Sequence, residues 1–198
     1  MAELVIVDTG CANISSVYFA IKRLGVEPVI SADAAIIKQA KRVILPGVGT
    51  AKAAMHNLTE RDLISTLQGL QQPVLGICLG MQLLTAHSME GDVACLGLIP
   101  GEVAPLNAAG LRLPHMGWNT LHSMSQHPLL KGFTAQDYLY FVHSFAVVPS
   151  QYSLAQCHYG SEFAAVIGKD NVAGAQFHPE RSGKVGARLL QNFLEWQL

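Results

Sequence analysis

The sequence predicts an α/β fold: an open, mostly parallel sheet flanked by helices, with a more antiparallel C-terminal half. Three observations carry this. In the first half, short continuous apolar runs alternate with segments of helical periodicity. Strands that are apolar without interruption belong to parallel sheets covered on both faces. In the second half, strand-like runs follow one another with few helices between them.

The elements follow in order. Leu4–Asp8 reads as a buried strand. A turn holding Gly10 and Asn13 leads into a helix over Ser15–Leu24, with Val17, Ala20, Ile21 and Leu24 on one face. Glu27–Ser31 is the next strand and Ala34–Ala40 a short helix. Arg42–Leu45 is a strand that ends in Pro46-Gly47-Val48-Gly49. Helical stretches over Ala51–Leu58 and Arg61–Leu70 precede the strand Pro73–Ile77, and Leu79–Ala86 starts a helix directly from it. Glu102–Leu106, Trp118–Leu121, Tyr138–Val148 and Ser153–His158 read as strands. Glu162–Ile167 and Val172–Phe177 flank a hairpin turn at Gly168-Lys169-Asp170-Asn171. Ser182–Trp196 closes the chain as an amphipathic helix. Ser182 is its N-cap candidate, and Val185, Leu189, Phe193 and Trp196 lie along one face.

At 198 residues, 50% hydrophobic and 14% charged, residues 1–198 are expected to form one domain with a sizeable core. A net charge of −1 gives no reason to expect nucleic acid or an anionic membrane as partner. The start, MAELVIVD, lacks a basic leader, and no apolar run reaches the roughly 18 residues of a membrane span. A soluble, cytoplasmic protein is expected. The four cysteines, Cys11, Cys78, Cys95 and Cys157, form no CxxC pair, and the eight histidines show no metal-ligand spacing. Neither a metal nor another cofactor is expected.

The chemistry concentrates in two segments. Gly76-Ile77-Cys78-Leu79-Gly80 sits between a strand and a helix: a glycine–x–nucleophile–x–glycine elbow with cysteine in the nucleophile's place. So tight a turn forces the nucleophile into strained backbone, and the glycines leave room for the chain to fold back. The sulfur then emerges at the carboxyl end of the sheet and at a helix N-terminus, which favours thiolate. A lone cysteine in an apolar run is more often a small core residue; the paired glycines and the strand-to-helix switch reverse that. One hundred residues on, Gln176-Phe177-His178-Pro179-Glu180 follows a strand and precedes the last helix. His178 can serve as base to Cys78, and Glu180 can fix its tautomer.

GICLGMQLL followed by QFHPE resembles the class I (triad-type) glutamine amidotransferases, over nearly the whole chain. The resemblance implies a flavodoxin-like sheet. It also implies that Cys78 attacks the side-chain amide of glutamine, ammonia leaves, and water hydrolyses a glutamyl thioester. It places an oxyanion hole on the backbone of Gly47, Val48, Gly49 and Leu79, where one donor is worth about 3–4 kcal/mol. Because glycine tolerates both signs of φ, one peptide of that loop can present either C=O or N–H to the site. The resemblance further puts Gln82, Glu90, His143 and Ser144 at the substrate, with Glu90 facing its α-ammonium group and Ser144 its α-carboxylate.

With the triad segment so near residue 198, no synthase domain is expected on this chain, and ammonia is expected to pass to a partner. DTGCAN at residues 8–13, the PGVG loop, HMGWN at 115–119 and YFVHSF at 140–145 are together similar to the glutaminase subunits of imidazole glycerol phosphate synthases. That implies a heterodimer with a (β/α)8-barrel cyclase, with Asn13, Met116, Trp118, Asn119, Tyr140 and Arg181 at the interface. The products would be imidazole glycerol phosphate and aminoimidazole carboxamide ribotide, in histidine biosynthesis. Cys11-Ala12 and Arg181 depart from the residues common in those subunits. Two other readings stand beside this one: the same fold serving a different synthase, and a sensing module with Cys78 as a redox thiol. A sensor, however, has no use for a base or for a substrate clamp at Gln82.

Overall fold

The computed structural model describes residues 2–10 and 14–198. Its first half keeps the expected alternation: β1 (Val5–Val7), α1 (Ile14–Lys22), β2 (Val29–Ser31), α2 (Ala34–Gln39), β3 (Val43–Gly47), α3 (Ala51–Glu60), α4 (Ile64–Gln68), β4 (Val74–Cys78) and α5 (Leu79–Leu83). Short strands β5 (His87–Ser88), β6 (Val93–Ala94) and β7 (Glu102–Pro105) follow. Then come β8 (His115–Thr120), β9 (Tyr138–His143), β10 (Phe145–Val147), β11 (Ser153–Tyr159), β12 (Ser161–Lys169), β13 (Val172–Ala175) and α6 (Gly183–Glu195). Single 3-10 turns lie at Pro128–Leu130 and Pro179–Arg181.

A parallel block in the order β2-β1-β3-β4-β13 forms half of the main sheet. The remainder, from β12 through β10 and β7 to β5 and β6, is mostly antiparallel. Successive side chains of a strand point to opposite faces, so the uninterrupted apolar runs feed two cores. Leu4, Ile6, Ile44, Leu75 and Ile77 pack with Val17 and Ile21 of α1 and Leu189 and Phe193 of α6. Val5, Val7, Val43, Leu45 and Val74 pack on the other face with Ile37, Leu58 and Leu67 of α2, α3 and α4. Among the described residues no helix is long and apolar enough to cross a membrane.

Four expectations need correction. The run Tyr138–Val148 is two strands in different sheets. β9 pairs with β8 as a separate antiparallel ribbon, and β10 joins the main sheet beside β7 and β12. The bend at Ser144 has local causes: His143 Nδ1 donates to Phe145 O at 2.9 Å, and Leu106 N donates to Ser144 O at 2.9 Å. The helix expected over Leu79–Ala86 stops at Leu83, because N–H groups of Leu96, Leu98 and Ile99 take the carbonyls of Leu83 and Leu84. The helix expected from Arg61 begins at Ile64; Asp62, at φ 52°, breaks the helical path. The hairpin loop is narrower than expected, since Lys169 pairs with Val172 and leaves Asp170-Asn171 as the turn.

Candidate active site

The elbow forms as its glycines dictate. Cys78 sits at φ 54°, ψ −112°, between the end of β4 and the first turn of α5. A Cβ on Gly80 would lie 1.9 Å from Leu45 O, one on Gly76 2.6 Å from Gly80 O, and one on Gly47 2.7 Å from Gly80 N. Three glycines thus let α5 turn back directly over β3 and β4. Gly47 pairs with Cys78 across those strands, which makes its packing role as specific as the expected oxyanion one.

His178 follows β13, the parallel neighbour of β4, so both residues leave the carboxyl ends of adjacent strands, where open α/β sheets place their ligands. Its Nδ1 lies 2.8 Å from Glu180 Oε1, and both side chains are buried. Burial pushes the imidazole towards its neutral form, but hydrogen bonds to the Cys78 sulfur and to Glu180 outweigh it, and His178 is raised to about 10. With Nδ1 given to Glu180, Nε2 serves the sulfur. Two backbone ties set the ring: His178 N donates to Tyr140 O at 2.9 Å, and Ser182 Oγ donates to His178 O at 2.7 Å. Ser182 also accepts from Tyr140 N at 2.9 Å. It stands at the N-cap position as expected, yet its side chain caps nothing and instead staples the His178 segment to β9.

A cavity of ≈ 280 Å³ opens over Cys78 and His178. Val48, Gly49 and Leu79 form one wall, Gln82 and Glu90 another, and Val142 to Phe145 with Arg181 a third. Gly49 has φ +95°, a conformation that side-chain-bearing residues rarely adopt, and nothing within 4 Å of where a Cβ would stand. Glu90 Oε2 accepts from Ala51 N at 2.9 Å, which ties it to the start of α3 just beyond the loop and leaves Oε1 for a ligand. Gln82 Nε2 donates to Phe145 O and to Gln176 Oε1, each at 2.9 Å, leaving its own Oε1 to offer.

His143 lines the cavity, but both ring nitrogens are spent within the chain. Nδ1 must donate to the Phe145 carbonyl, so Nε2 is an acceptor. Its partner at 3.0 Å, His115 Nδ1, must therefore carry the proton. His115 Nε2 in turn faces Asn119 Nδ2 at 3.4 Å. Burial keeps both rings neutral, His143 lowered to about 3 and His115 to about 4. His143 therefore presents to the cavity a ring whose two nitrogens are already engaged.

Met116 and Trp118 are 62% and 55% exposed on the outer face of the β8–β9 ribbon. Trp118 meets Tyr140 edge-on, and the Arg181 guanidinium lies 5.4 Å from the Tyr140 ring centre, at the mouth of the cavity. Asn119 differs in orientation from Met116 and Trp118. The alternation of β8 turns it to the inner face, where its amide donates to His158 O at 2.9 Å. Asn13 lies outside the described residues. The pairing of His115 with His143, the ties of Ser182 to β9 and to His178 O, and the contacts of the Gln176 amide are not announced by their sequence context. The spacing of His115 opposite His143 becomes meaningful only once the ribbon register is known. Among the described residues no group of three or more His, Cys, Asp or Glu side chains is placed to hold a metal ion.

A model of the class-I glutamine amidotransferase family matches residues 5–196. The chain is 58% identical to the imidazole glycerol phosphate synthase subunit HisH of Idiomarina loihiensis, over 99% of both chains. It is 56% identical to the protein of that name from Vibrio cholerae, over 98% of both, and to that from Colwellia psychrerythraea, over 98% of this chain and 93% of the relative. Among solved structures, a putative GMP synthase protein from Thermoplasma acidophilum superposes with a TM-score of 0.75 at 16% identity, covering 98% of this chain and 93% of that one. A crystal structure of a glutamine amidotransferase gives the same score at 20% identity, covering 96% and 97%. At those identities the likeness is one of fold.

Proposed function

Because the chain belongs to the class-I glutamine amidotransferase family, we propose that it is the glutaminase subunit of an imidazole glycerol phosphate synthase, with Cys78, His178 and Glu180 as its triad. The observation that carries the chemistry is the Cys78 elbow and the buried His178–Glu180 pair opening into one cavity. The choice of synthase rests on relatives of that name matching over the length of the chain.

Glutamine enters with its α-ammonium group at Glu90 and its α-carboxylate at Ser144, and its side-chain carbonyl lies over Cys78. The sulfur attacks the amide carbon, and the oxyanion that forms takes N–H donors from the Gly47-Val48-Gly49 backbone and Leu79. His178, protonated at neutral pH, gives its proton to the departing nitrogen. Ammonia leaves and a γ-glutamyl thioester remains. The now neutral imidazole takes a proton from water, hydroxide adds to the thioester, and glutamate departs as the sulfur and imidazolium are restored. Glu180 holds the ring in the tautomer that both steps need.

Ammonia then passes to a (β/α)8-barrel cyclase seated on the ribbon face that carries Met116, Trp118 and Tyr140. There it completes imidazole glycerol phosphate and releases aminoimidazole carboxamide ribotide. The chain acts as one amidotransferase domain in the cytoplasm, without a cofactor and without nucleic acid or membrane as partner. The experiment is Cys78→Ala in the complex with the cyclase. Synthesis from glutamine should vanish while synthesis from free ammonium persists. Unchanged glutamine-dependent synthesis would refute the reading.

A further inference from the structure

Gln176 is fully buried, and both ends of its carboxamide are held. Oε1 accepts from Gln82 Nε2 at 2.9 Å, and Nε2 lies 3.7 Å from the Cys78 sulfur. Gln82 cannot turn to suit it, because the same Nε2 also donates to Phe145 O. That carbonyl is in turn fixed by His143, whose ring is fixed by His115. The orientation of Gln176 is therefore determined: a reversed amide would set two NH₂ groups against each other and a carbonyl oxygen against the sulfur. An N–H of Gln176 is aimed at Sγ from the side away from the cavity, since Gln176 is not among the residues that line it.

We propose that Gln176 is a further catalytic residue, whose side-chain N–H holds the Cys78 sulfur in its attacking position and stabilises negative charge on it. The proposal rests on Cys78 being the nucleophile. A hydrogen bond to the charged form of a group favours that form, and charge-assisted bonds are about twice as strong as neutral ones. Gln176 also steadies Gln82, which lines the cavity, so the part of its effect that belongs to the sulfur is read in a reaction of Cys78 that needs no glutamine.

The test is the pH profile of alkylation of Cys78 by iodoacetamide, followed by peptide mass spectrometry, in the full chain and in Gln176→Met. Methionine keeps the length of the side chain and removes the donor. The other titratable and charged groups facing the sulfur and its cavity are His178 with Glu180 behind it, His143, Glu90 and Arg181, and all remain in the variant. The midpoint should rise by about one to two pH units, a tenfold to hundredfold change in the thiolate-to-thiol ratio. Gln82→Met, which frees Gln176 to turn, should shift it the same way by less. A folded Gln176→Met with an unmoved midpoint overturns the proposal. If that variant does not fold, the wild-type chain decides. A Gln176 side-chain amide resonance that titrates with the alkylation midpoint, and ceases to in Cys78→Ala, supports the proposal; one that ignores the midpoint overturns it. Wild-type Cys78 that resists alkylation while glutamine is still turned over would overturn the nucleophile itself, and this proposal with it.

Discussion

Replacing Gly80 by alanine probes the elbow at its narrowest point. The new Cβ would sit 1.9 Å from Leu45 O and 2.8 Å from Leu45 C. Ordinary contact begins near 3.4 Å, so α5 and β3 must separate by about 1.5 Å. Leu45 is backbone in the middle of a paired strand, opposite Gly76, and has no rotamer by which to yield. Overpacking of this kind costs about 1–3 kcal/mol. For a chain of this size that lowers the melting temperature by about 2 to 12 °C. The larger effect should be on rate. The elements forced apart carry Leu79 and Gly47, Cys78 immediately precedes α5, and a displacement of about 1 Å at a reacting centre costs roughly a hundredfold. The assay is glutamine turnover in the cyclase complex beside a thermal melt of the same protein. Gly97→Ala is the control: its φ is +67°, but nothing lies within 4 Å of the added atom, so it should lose a little stability and no activity. Gly80→Ala with wild-type turnover and wild-type melting would refute the steric account of the elbow.

The remaining predictions concern the imidazoles. His178→Asn should cost several orders of magnitude in glutaminase rate, and Glu180→Gln less, because in the proposed mechanism Glu180 orients and does not react; an equal or larger loss for Glu180→Gln in steady-state kinetics would contradict that role. His115→Phe keeps the stacking on Phe141 and Tyr159 but leaves His143 Nε2 buried without its donor, which should cost about 1–3 kcal/mol in denaturant unfolding; a fully stable variant would mean the imidazole pair is idle. His143 and His115 stay neutral in the fold to about 3 and 4, whereas their ordinary value is 6.5. Between pH 6.5 and 4 the unfolded chain takes up protons that the folded chain refuses. Stability should therefore fall with acid by up to about 1.4 kcal/mol per pH unit for each ring, and less steeply in His115→Phe. His178 acts in the opposite sense: its contribution is complete below 6.5 and is lost as pH rises towards about 10. Denaturant midpoints that stay flat from pH 6.5 to 4 would contradict the neutral pair.

What the sequence disclosed follows from how local each feature is. Continuous apolar strands, the glycine elbow and the histidine–proline–glutamate run each declare themselves within a few residues, and the parallel block, the elbow at Cys78 and the placing of His178 beside it were legible for that reason. The break at Ser144 was not, because it depends on a ring of one strand reaching a carbonyl two residues on and on Leu106 from another strand. Asn119 was assigned outward with its neighbours. The resemblance placed it with Trp118, but the two are consecutive in β8 and so point to opposite faces. The hydrogen bonds that occupy the His143 ring were not legible, because its partners, His115 and Phe145 O, lie in another strand and beyond a bend. Gln176 sat in plain view inside the base motif, but its two ends meet residues 94 and 98 positions away.

The most direct measurement of the central claim is labelling by a glutamine-shaped electrophile, a chloromethyl ketone carrying the glutamine side chain's outline and α-groups, mapped by peptide mass spectrometry. One modified residue is expected, Cys78, with saturable kinetics, protection by glutamine and loss of glutaminase activity in step with labelling. Buried Cys157 and half-buried Cys95, whose thiols burial pushes up to about 12 and about 11, should stay unmodified. Labelling that falls elsewhere, or glutaminase activity that survives full modification of Cys78, would contradict it.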